Sequence, residues 1–352
     1  MNFTEIMGQE DAKNLLKNAI KSGNHNHAYI FSGEVGAGKM MLAEAFAMML
    51  QCENPGDDAC GECHSCKQAI TRNNPDIIYV TREKDKSNIG VNVIREQINN
   101  SIIIKPYSSR YKVYIVDEAE KMNIQAQNAL LKTIEEPPEY AVILLLTTNH
   151  NAFLQTILSR CVTIQMKSID AELIKKTLQE KYQIVDYQAE MVASFAQGNL
   201  GKAIQLATSD RFKEVKDEVT SLVKKVGRME EYEIATEVTW IKTEVKTEKD
   251  REKAAAKSEE EPQKTQSITE QMLDLITLWY RDVLLYKATQ DESLLIFKED
   301  TYDIRLQADD CSYNGLNIIF DAISETRKRL NANVNFELTF MLLIQALKEN
   351  TK

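Results

Sequence analysis

The stretch from Phe31 to Met40, FSGEVGAGKM, carries the spacing G-x-x-x-x-G-K at Gly33, Gly38 and Lys39. The apolar run before it, residues 27–31, predicts a buried strand, and the apolar segment after it predicts a helix. In this context the glycines let backbone N–H groups turn onto phosphate oxygens, and the lysine reaches the terminal phosphates. The stretch therefore predicts a phosphate-binding loop, with a glycine turn that holds no ligand as the alternative.

Met40 stands where a loop of this kind needs Ser or Thr, whose hydroxyl holds magnesium. A thioether is a poor ligand for this hard cation, which prefers oxygen. We therefore expect a loop that can hold a nucleotide and is poorly built to hydrolyse it.

Four of the six cysteines form a second group, spaced as Cys52-x7-Cys60-x2-Cys63-x2-Cys66. Four thiolates this close together predict a tetrahedral zinc site, structural rather than catalytic because no position is left open for water. An iron–sulfur site or four unrelated thiols are the alternatives. His64, between two of these cysteines, is interpreted as a bystander.

Asp117 and Glu118 directly follow a predicted buried strand, Lys112–Val116. Acidic residues at the carboxyl end of a central strand are where P-loop enzymes orient magnesium and an attacking water. Alternatively, Asp117 caps the next helix. The position of the pair, roughly eighty residues after Lys39 in an α/β layout, favours the nucleotide site.

Two later polar residues are also candidates. Asn149 follows a predicted strand, residues 141–147, and could position water or contact the terminal phosphate, or it could be a turn residue. Arg160 lies in a predicted short helix, residues 153–161. Its alternatives are a surface ion pair and an arginine that stabilises phosphoryl transfer in a neighbouring chain.

The composition bounds the elements that must position these residues. The chain has 352 residues, 43% of them hydrophobic, with 12 Gly and 6 Pro, which favours a helix-rich protein of two or three domains. A net charge of -10 weighs against DNA binding by the whole surface. The absence of a membrane-length apolar run and of a signal-peptide pattern leads us to expect a cytoplasmic protein.

Helical patterns fill most of the remaining chain. They cover residues 1–23, 91–104 and 124–134, three short helices within 167–208, and then 212–241, 267 onward and 330–347. The mixed charge run of residues 242–264 is interpreted as a solvated helix continuation or a flexible linker.

Several segments occur in a specific order across residues 1–165: HAYIFSGEVGAGK, the four-cysteine insert, VYIVDEAEKMNIQAQNALLKTIEEPP, LLLTTN and ILSRC. In this series the chain resembles the bacterial clamp-loader AAA+ subunits of the DNA polymerase III holoenzyme. It looks most like the delta-prime type, because Met40 replaces the magnesium ligand and Lys202, in the segment GNLGKA, stands where motor subunits carry an arginine.

The resemblance implies roles for individual residues. The four cysteines would bind zinc, Asp117 and Glu118 match the Walker B position, Asn149 matches the first sensor, and Arg160 matches the arginine presented to the ATP site of an adjacent motor subunit. The nucleotide site, which would hold ATP or ADP without turnover, would further include Gly33, Gly36, Gly38, Lys39, Met40 and Lys202.

The resemblance also implies an architecture. It is an α/β AAA+ P-loop core with a parallel sheet and flanking helices over residues 1–166, with the zinc insert at 52–66. A small helical lid follows at 167–210, and an all-α collar domain, which includes the charged segment, at 211–352.

The implied function is that of a delta-prime-type subunit of the clamp loader, part of the DNA-directed DNA polymerase III holoenzyme, a nucleotidyltransferase complex. It would have no ATPase activity of its own and no membrane partner. Its partners would be the gamma/tau and delta subunits, the sliding clamp and, through the assembly, primer-template DNA. The alternatives are an ATP-hydrolysing motor subunit of the gamma/tau kind and, more weakly supported, a zinc-stapled DNA-binding module.

Overall fold

The computed structural model describes residues 2–82, 86, 88–255, 267–332 and 334–351. It divides into two compact units. The first consists of Met1–Leu173 with Gln197–Lys202, and the second of Ile174–Ala196 with Ala203–Lys352. Residues 256–264 of the predicted charge run lie outside the described residues.

The first unit is built on a five-stranded sheet in which every pair of neighbouring strands is parallel. The strands lie in the order β2-β3-β4-β1-β5. Their bounds are Ala28–Ser32 (β1), Ile77–Val80 (β2), Lys112–Val116 (β3), Ala141–Thr147 (β4) and Val162–Gln165 (β5).

The helices of the first unit lie in the sequence between and around these strands. They are Glu10–Lys21 (α1), Lys39–Gln51 (α2), His64–Ile70 (α3), Val91–Ile94 (α4, continued by a π-helical turn at Arg95–Asn99), Ile124–Glu135 (α5) and Gln155–Leu158 (α6).

The central strands are apolar on both faces, as parallel strands covered by helices must be. Successive residues alternate between two hydrophobic clusters: Phe31 and Ile115 pack with α1 and α2, whereas Ile30 and Val116 pack with α4 and α5. Helix α2 is buried at every residue from Leu42 to Gln51, so it lies inside the first cluster rather than on the surface. The predicted α/β core, a parallel sheet with flanking helices, is thus confirmed.

The remaining described elements are all helical, as predicted. The helices are Ala171–Tyr182 (α7), Asp186–Ala196 (α8), Leu200–Thr208 (α9), Asp210–Lys225 (α10), Glu231–Ala255 (α11), Ile268–Thr289 (α12), Thr301–Asp310 (α13), Tyr313–Asn331 (α14) and Phe336–Asn350 (α15). The described part of the charge run, residues 242–255, continues α11. The boundaries of the compact units fall within α7, at the end of α8 and within α9. The three-part division at residues 166 and 210 stays a prediction.

A buried polar chain joins three helices of the second unit. Trp279 in α12 donates its indole N–H to Gln307 in α13 over 2.8 Å, and the Gln307 amide donates to the carbonyl of Val223 in α10 over 2.6 Å. These hydrogen bonds satisfy buried polar groups and fix how the helices pack. Among the described helices, none is long and apolar enough to cross a membrane.

Candidate functional site

The glycine loop lies between β1 and α2, in the predicted strand–turn–helix context. Gly38 caps α2 with a φ of 89°, a left-handed conformation that glycine adopts without strain. The Lys39 ammonium donates to the loop's own carbonyl oxygens, 2.8 Å to Gly33 and 2.7 Å to Glu34. The lysine is therefore folded against the loop that it would serve.

The segment Gln197–Lys202 packs directly on this loop. A Cβ atom added to Gly201 would lie 2.7 Å from the carbonyl oxygen of Gly36, so the two backbones touch. Asn199, 6% exposed, donates its amide to the carbonyl of Val35 and accepts from the Lys202 N–H over 3.0 Å. Sequence reasoning missed Asn199; the available signal was an Asn between glycines just before a helix, a typical capping position.

Met40 lies in the first turn of α2 and is partly buried. Its side chain packs against the hydrophobic cluster formed by α1, α2 and one sheet face. The thioether at the magnesium-ligand position thus contributes apolar packing, and it offers no hydroxyl oxygen.

Asp117, Glu118 and Asn149 follow the carboxyl ends of β3 and β4. Because the sheet order is β3-β4-β1, these strand ends and the glycine loop lie along one edge of the sheet. The Glu118 carboxylate forms ion pairs with Lys121 at 2.9 Å and Arg82 at 3.3 Å.

Asp117 and Asn149 make local hydrogen bonds. An Asp117 carboxylate oxygen accepts from the backbone N–H of Glu118 over 2.9 Å. The Asn149 side chain accepts from the N–H of Asn151 over 3.1 Å and caps the short turn His150–Ala152. The turn interpretation of Asn149 is therefore part of its geometry, whereas its sensor role stays a prediction.

The four cysteines meet in space. The sulfur atoms of Cys52, Cys60, Cys63 and Cys66 all lie within 4.8 Å of one another. Ligands at the zinc–sulfur distance of about 2.3 Å around one tetrahedral ion would be about 3.8 Å apart, so the group fits a single zinc ion with a small contraction. Exposed His64 is not part of the group.

Backbone N–H groups point at the sulfur atoms. Cys63 donates to Cys60 and Cys66 donates to Cys63, each over 3.4 Å. The N–H groups of Cys63 and Glu62 lower the pKa of Cys60 to about 6, whereas burial raises the pKa values of Cys52 and Cys66. The exposed member is thus predisposed to be a thiolate, and the buried members need a cation beside them to ionise.

Arg160 lies just before β5, which pairs with β1 in parallel register from Tyr29↔Val162 to Ser32↔Gln165. The glycine loop follows the carboxyl end of β1, whereas Arg160 lies at the amino end of the strands. Arg160 and the glycine loop of the same chain are therefore at opposite ends of the strands. Its side chain is 40% exposed, and the guanidinium pairs with Glu135 at 3.0 Å.

The parallel sheet, the glycine loop between β1 and α2, and the acidic pair after β3 together define a P-loop core. Comparison with known families agrees: residues 8–170 match the family model described as "DNA polymerase III, delta subunit".

Individual relatives fall into two groups. The tau subunit of DNA polymerase III from Bacillus subtilis is 37% identical, and the match covers 58% of this chain and 37% of the relative. The delta-prime subunit from the same organism is 27% identical, and the match covers 95% of this chain and 94% of the relative. The chain is therefore similar to the tau and delta-prime subunits of bacterial DNA polymerase III, which confirms the predicted resemblance.

The tau and tau/gamma relatives are longer proteins. The match spans about a third of the Bacillus subtilis tau subunit and 30% of the tau/gamma subunit from Haemophilus influenzae. Among solved structures, a gamma subunit-related protein of Thermotoga maritima aligns over 97% of this chain and 99% of its own, with 18% identity and a TM-score of 0.47.

Proposed function

We propose that this chain is a delta-prime-type subunit of a clamp loader, which assembles with gamma/tau and delta subunits to place the sliding clamp on primed DNA. The extent of the relatives' similarity supports this assignment. The match to a delta-prime subunit runs nearly end to end in both proteins, whereas the match to tau covers 58% of this chain and 37% of tau. The lid at 167–210 and the collar at 211–352 would then join it to its neighbours.

The chemical contribution of the chain would be Arg160, supplied in trans to the ATP site of a neighbouring subunit. The single observation that carries this proposal is the position of Arg160 at the amino ends of the strands, whereas the glycine loop of the same chain lies at their carboxyl ends. An arginine placed there serves a site on another chain more readily than its own. Charge develops on the transferred phosphoryl group, and an added guanidinium stabilises it.

Three features argue that the chain does not turn over ATP itself. Met40 offers no hydroxyl, Lys39 is engaged by carbonyls of its own loop, and Glu118 is paired with two cations. Nucleotide binding without turnover is compatible with the intact glycines. Zinc held by Cys52, Cys60, Cys63 and Cys66 would staple the insert and have no part in the chemistry.

The test is steady-state ATP hydrolysis by the reconstituted loader with clamp and primed DNA, comparing the chain with its Arg160→Ala form. The site that receives the arginine should slow by on the order of 10³-fold. Glu135→Gln is the matched control, because it removes the same ion pair and keeps the guanidinium. Equal rates with and without Arg160 would refute the proposal, and an equal loss in both variants would assign the effect to the ion pair.

A second candidate, an ATP-hydrolysing motor of the gamma/tau kind, is favoured by the 37% identity to tau over 210 residues of this chain. It predicts hydrolysis by the isolated chain that requires magnesium and disappears in Lys39→Ala. Silence of the isolated chain, with activity appearing only in Met40→Thr, would support the degenerate site instead.

A further inference from the structure

A cavity of about 320 Å³ opens at the amino edge of the sheet, away from the glycine loop. Its walls include His25 from the segment before β1, Tyr111 from the segment before β3, Gln51 from the end of α2 and Cys52 from the cysteine insert. Its volume lies within the range of small-molecule sites, about 300–1,000 Å³. The cavity belongs wholly to the first unit.

Arg110 provides the positive charge of this cavity. Its guanidinium lies 5.3 Å from the centre of the Tyr111 ring, whose face it covers, and the His25 ring meets the same tyrosine edge-on at 4.7 Å. Within the part of the chain that the structure describes, no carboxylate pairs with Arg110, and no hydrogen bond engages its N–H groups. The five donors of a guanidinium fit the paired oxygens of a phosphate or carboxylate.

Two buried polar atoms of the cavity's residues also lack partners. Neither His25 Nε2 nor Ser109 Oγ has a hydrogen-bond partner among the described residues. A buried polar group left unsatisfied destabilises the fold, so each is expected to meet a group that the chain itself does not supply. Burial, then the charges of His27 and Arg110, lower the pKa of His25, so its ring is neutral at pH 7 and can donate or accept.

The loop that carries Ser109 and Arg110 is fixed by Asp76, which is 2% exposed. Its carboxylate accepts the backbone N–H groups of Tyr107, Ser108 and Ser109 at 2.6, 2.8 and 2.9 Å. The Asp76 carboxylate is thus neutralised in part by backbone N–H groups. Among the residues that line the cavity, the carboxylate is that of the exposed Glu53. A fixed loop reduces the entropy that a ligand would have to remove.

We propose that this cavity binds a small molecule carrying a phosphate or carboxylate group, with Arg110 holding the anion and the apolar side chains of Ile20, Met49 and Leu50 taking the rest of the ligand. The site is separate from the nucleotide loop, so it can be occupied in a chain that hydrolyses nothing.

The experiment uses the full chain with Lys39→Ala, so that phosphate does not report through the glycine loop. The chain has four histidines, and ¹⁵N-histidine labelling makes the His25 ring the reporter. Inorganic phosphate and acetate are titrated in separate arms. We expect the His25 signal to shift and saturate with at least one anion, and the arm that saturates identifies the group.

Arg110→Gln should weaken this binding by about tenfold or more, and Arg110→Lys, which keeps the charge and loses the fork, by less. Arg305→Gln is the matched control, because Arg305 also lies over a tyrosine ring, Tyr286, at 5.8 Å outside the cavity. Saturation that is equal in Arg110→Gln and the parent, or no saturation with either anion, would overturn the proposal.

Discussion

The side-chain amide of Asn199 donates a hydrogen bond to the backbone carbonyl of Val35, at the apex of the glycine loop. Because the Asn199 carbonyl also accepts from the Lys202 N–H, one nearly buried side chain joins the loop to the start of α9. The conformation of the phosphate loop therefore depends on a segment more than 160 residues away in the sequence.

Asn199→Ala should lower the free energy of unfolding by about 1–3 kcal/mol, because it removes the two hydrogen bonds that the Asn199 side chain makes, to the Val35 carbonyl and from the Lys202 N–H, each worth about 0.5–1.5 kcal/mol. The measurement is urea denaturation of the whole chain. Asn24→Ala, at an exposed position, is the control and should change stability by less than about 0.5 kcal/mol. Equal effects of the two changes would show that the hydrogen bonds of the Asn199 side chain do not stabilise the fold.

Gly201→Ala should destabilise the chain, which is the opposite of the usual result in a helix, where Ala is better than Gly by about 1 kcal/mol. The new Cβ would lie 2.7 Å from the backbone oxygen of Gly36, and backbone cannot move aside as a flexible side chain can. The measurement is again urea denaturation. A gain in stability would mean that the two segments do not touch in solution.

The chain should bind one zinc ion, measured by atomic absorption after gel filtration. Cys60→Ser should reduce the zinc content and lower the melting temperature, because three thiolates close the site poorly. Cys161→Ser, which changes a half-buried thiol outside the group, should leave the zinc content unchanged. Iron in place of zinc, with visible absorbance, would favour the iron–sulfur alternative.

Stability should decline as the pH falls below about 6.5, in part because of His25. The folded-state pKa of His25 is lowered from its ordinary value of 6.5, so at pH values between the two the unfolded chain binds more protons than the folded chain. The His25 contribution is complete above 6.5 and is lost as the pH falls to the folded pKa. Denaturation at a series of pH values should therefore show a smaller slope in His25→Gln, whereas His64→Gln, at an exposed position, should keep the slope of the parent.

The strands and the order of the chemical residues could be predicted from the sequence because buried parallel strands leave continuous apolar runs. Long-range contacts could not. The helix predicted over residues 91–104 ends at Asn99, and one cause lies in β3: the Lys112 ammonium takes the carbonyls of Ser101 and Ile104, at 2.8 and 3.1 Å. The sequence around Ser101 does not indicate that Lys112, eleven residues away, donates a hydrogen bond to its carbonyl.

The start of α6 gives the same lesson. The helix predicted from residue 153 begins at Gln155, because the Gln127 amide accepts from the Leu154 N–H over 2.9 Å and donates to the Ala152 carbonyl over 3.0 Å. The position of Arg160 at the far edge of the sheet likewise required the pairing of β5 with β1, which composition and periodicity do not specify.

Helix α2 begins at Lys39 in the glycine loop and ends at Gln51, next to Cys52. Its 13 residues span about 20 Å, and it is buried from its second turn to its end. An element of this kind exchanges its amide hydrogens as one cooperative block. Metal loss at one end and ligand loss at the other should therefore appear in hydrogen exchange as faster opening along the whole of α2, so that two chemically unrelated sites share one mode of local unfolding.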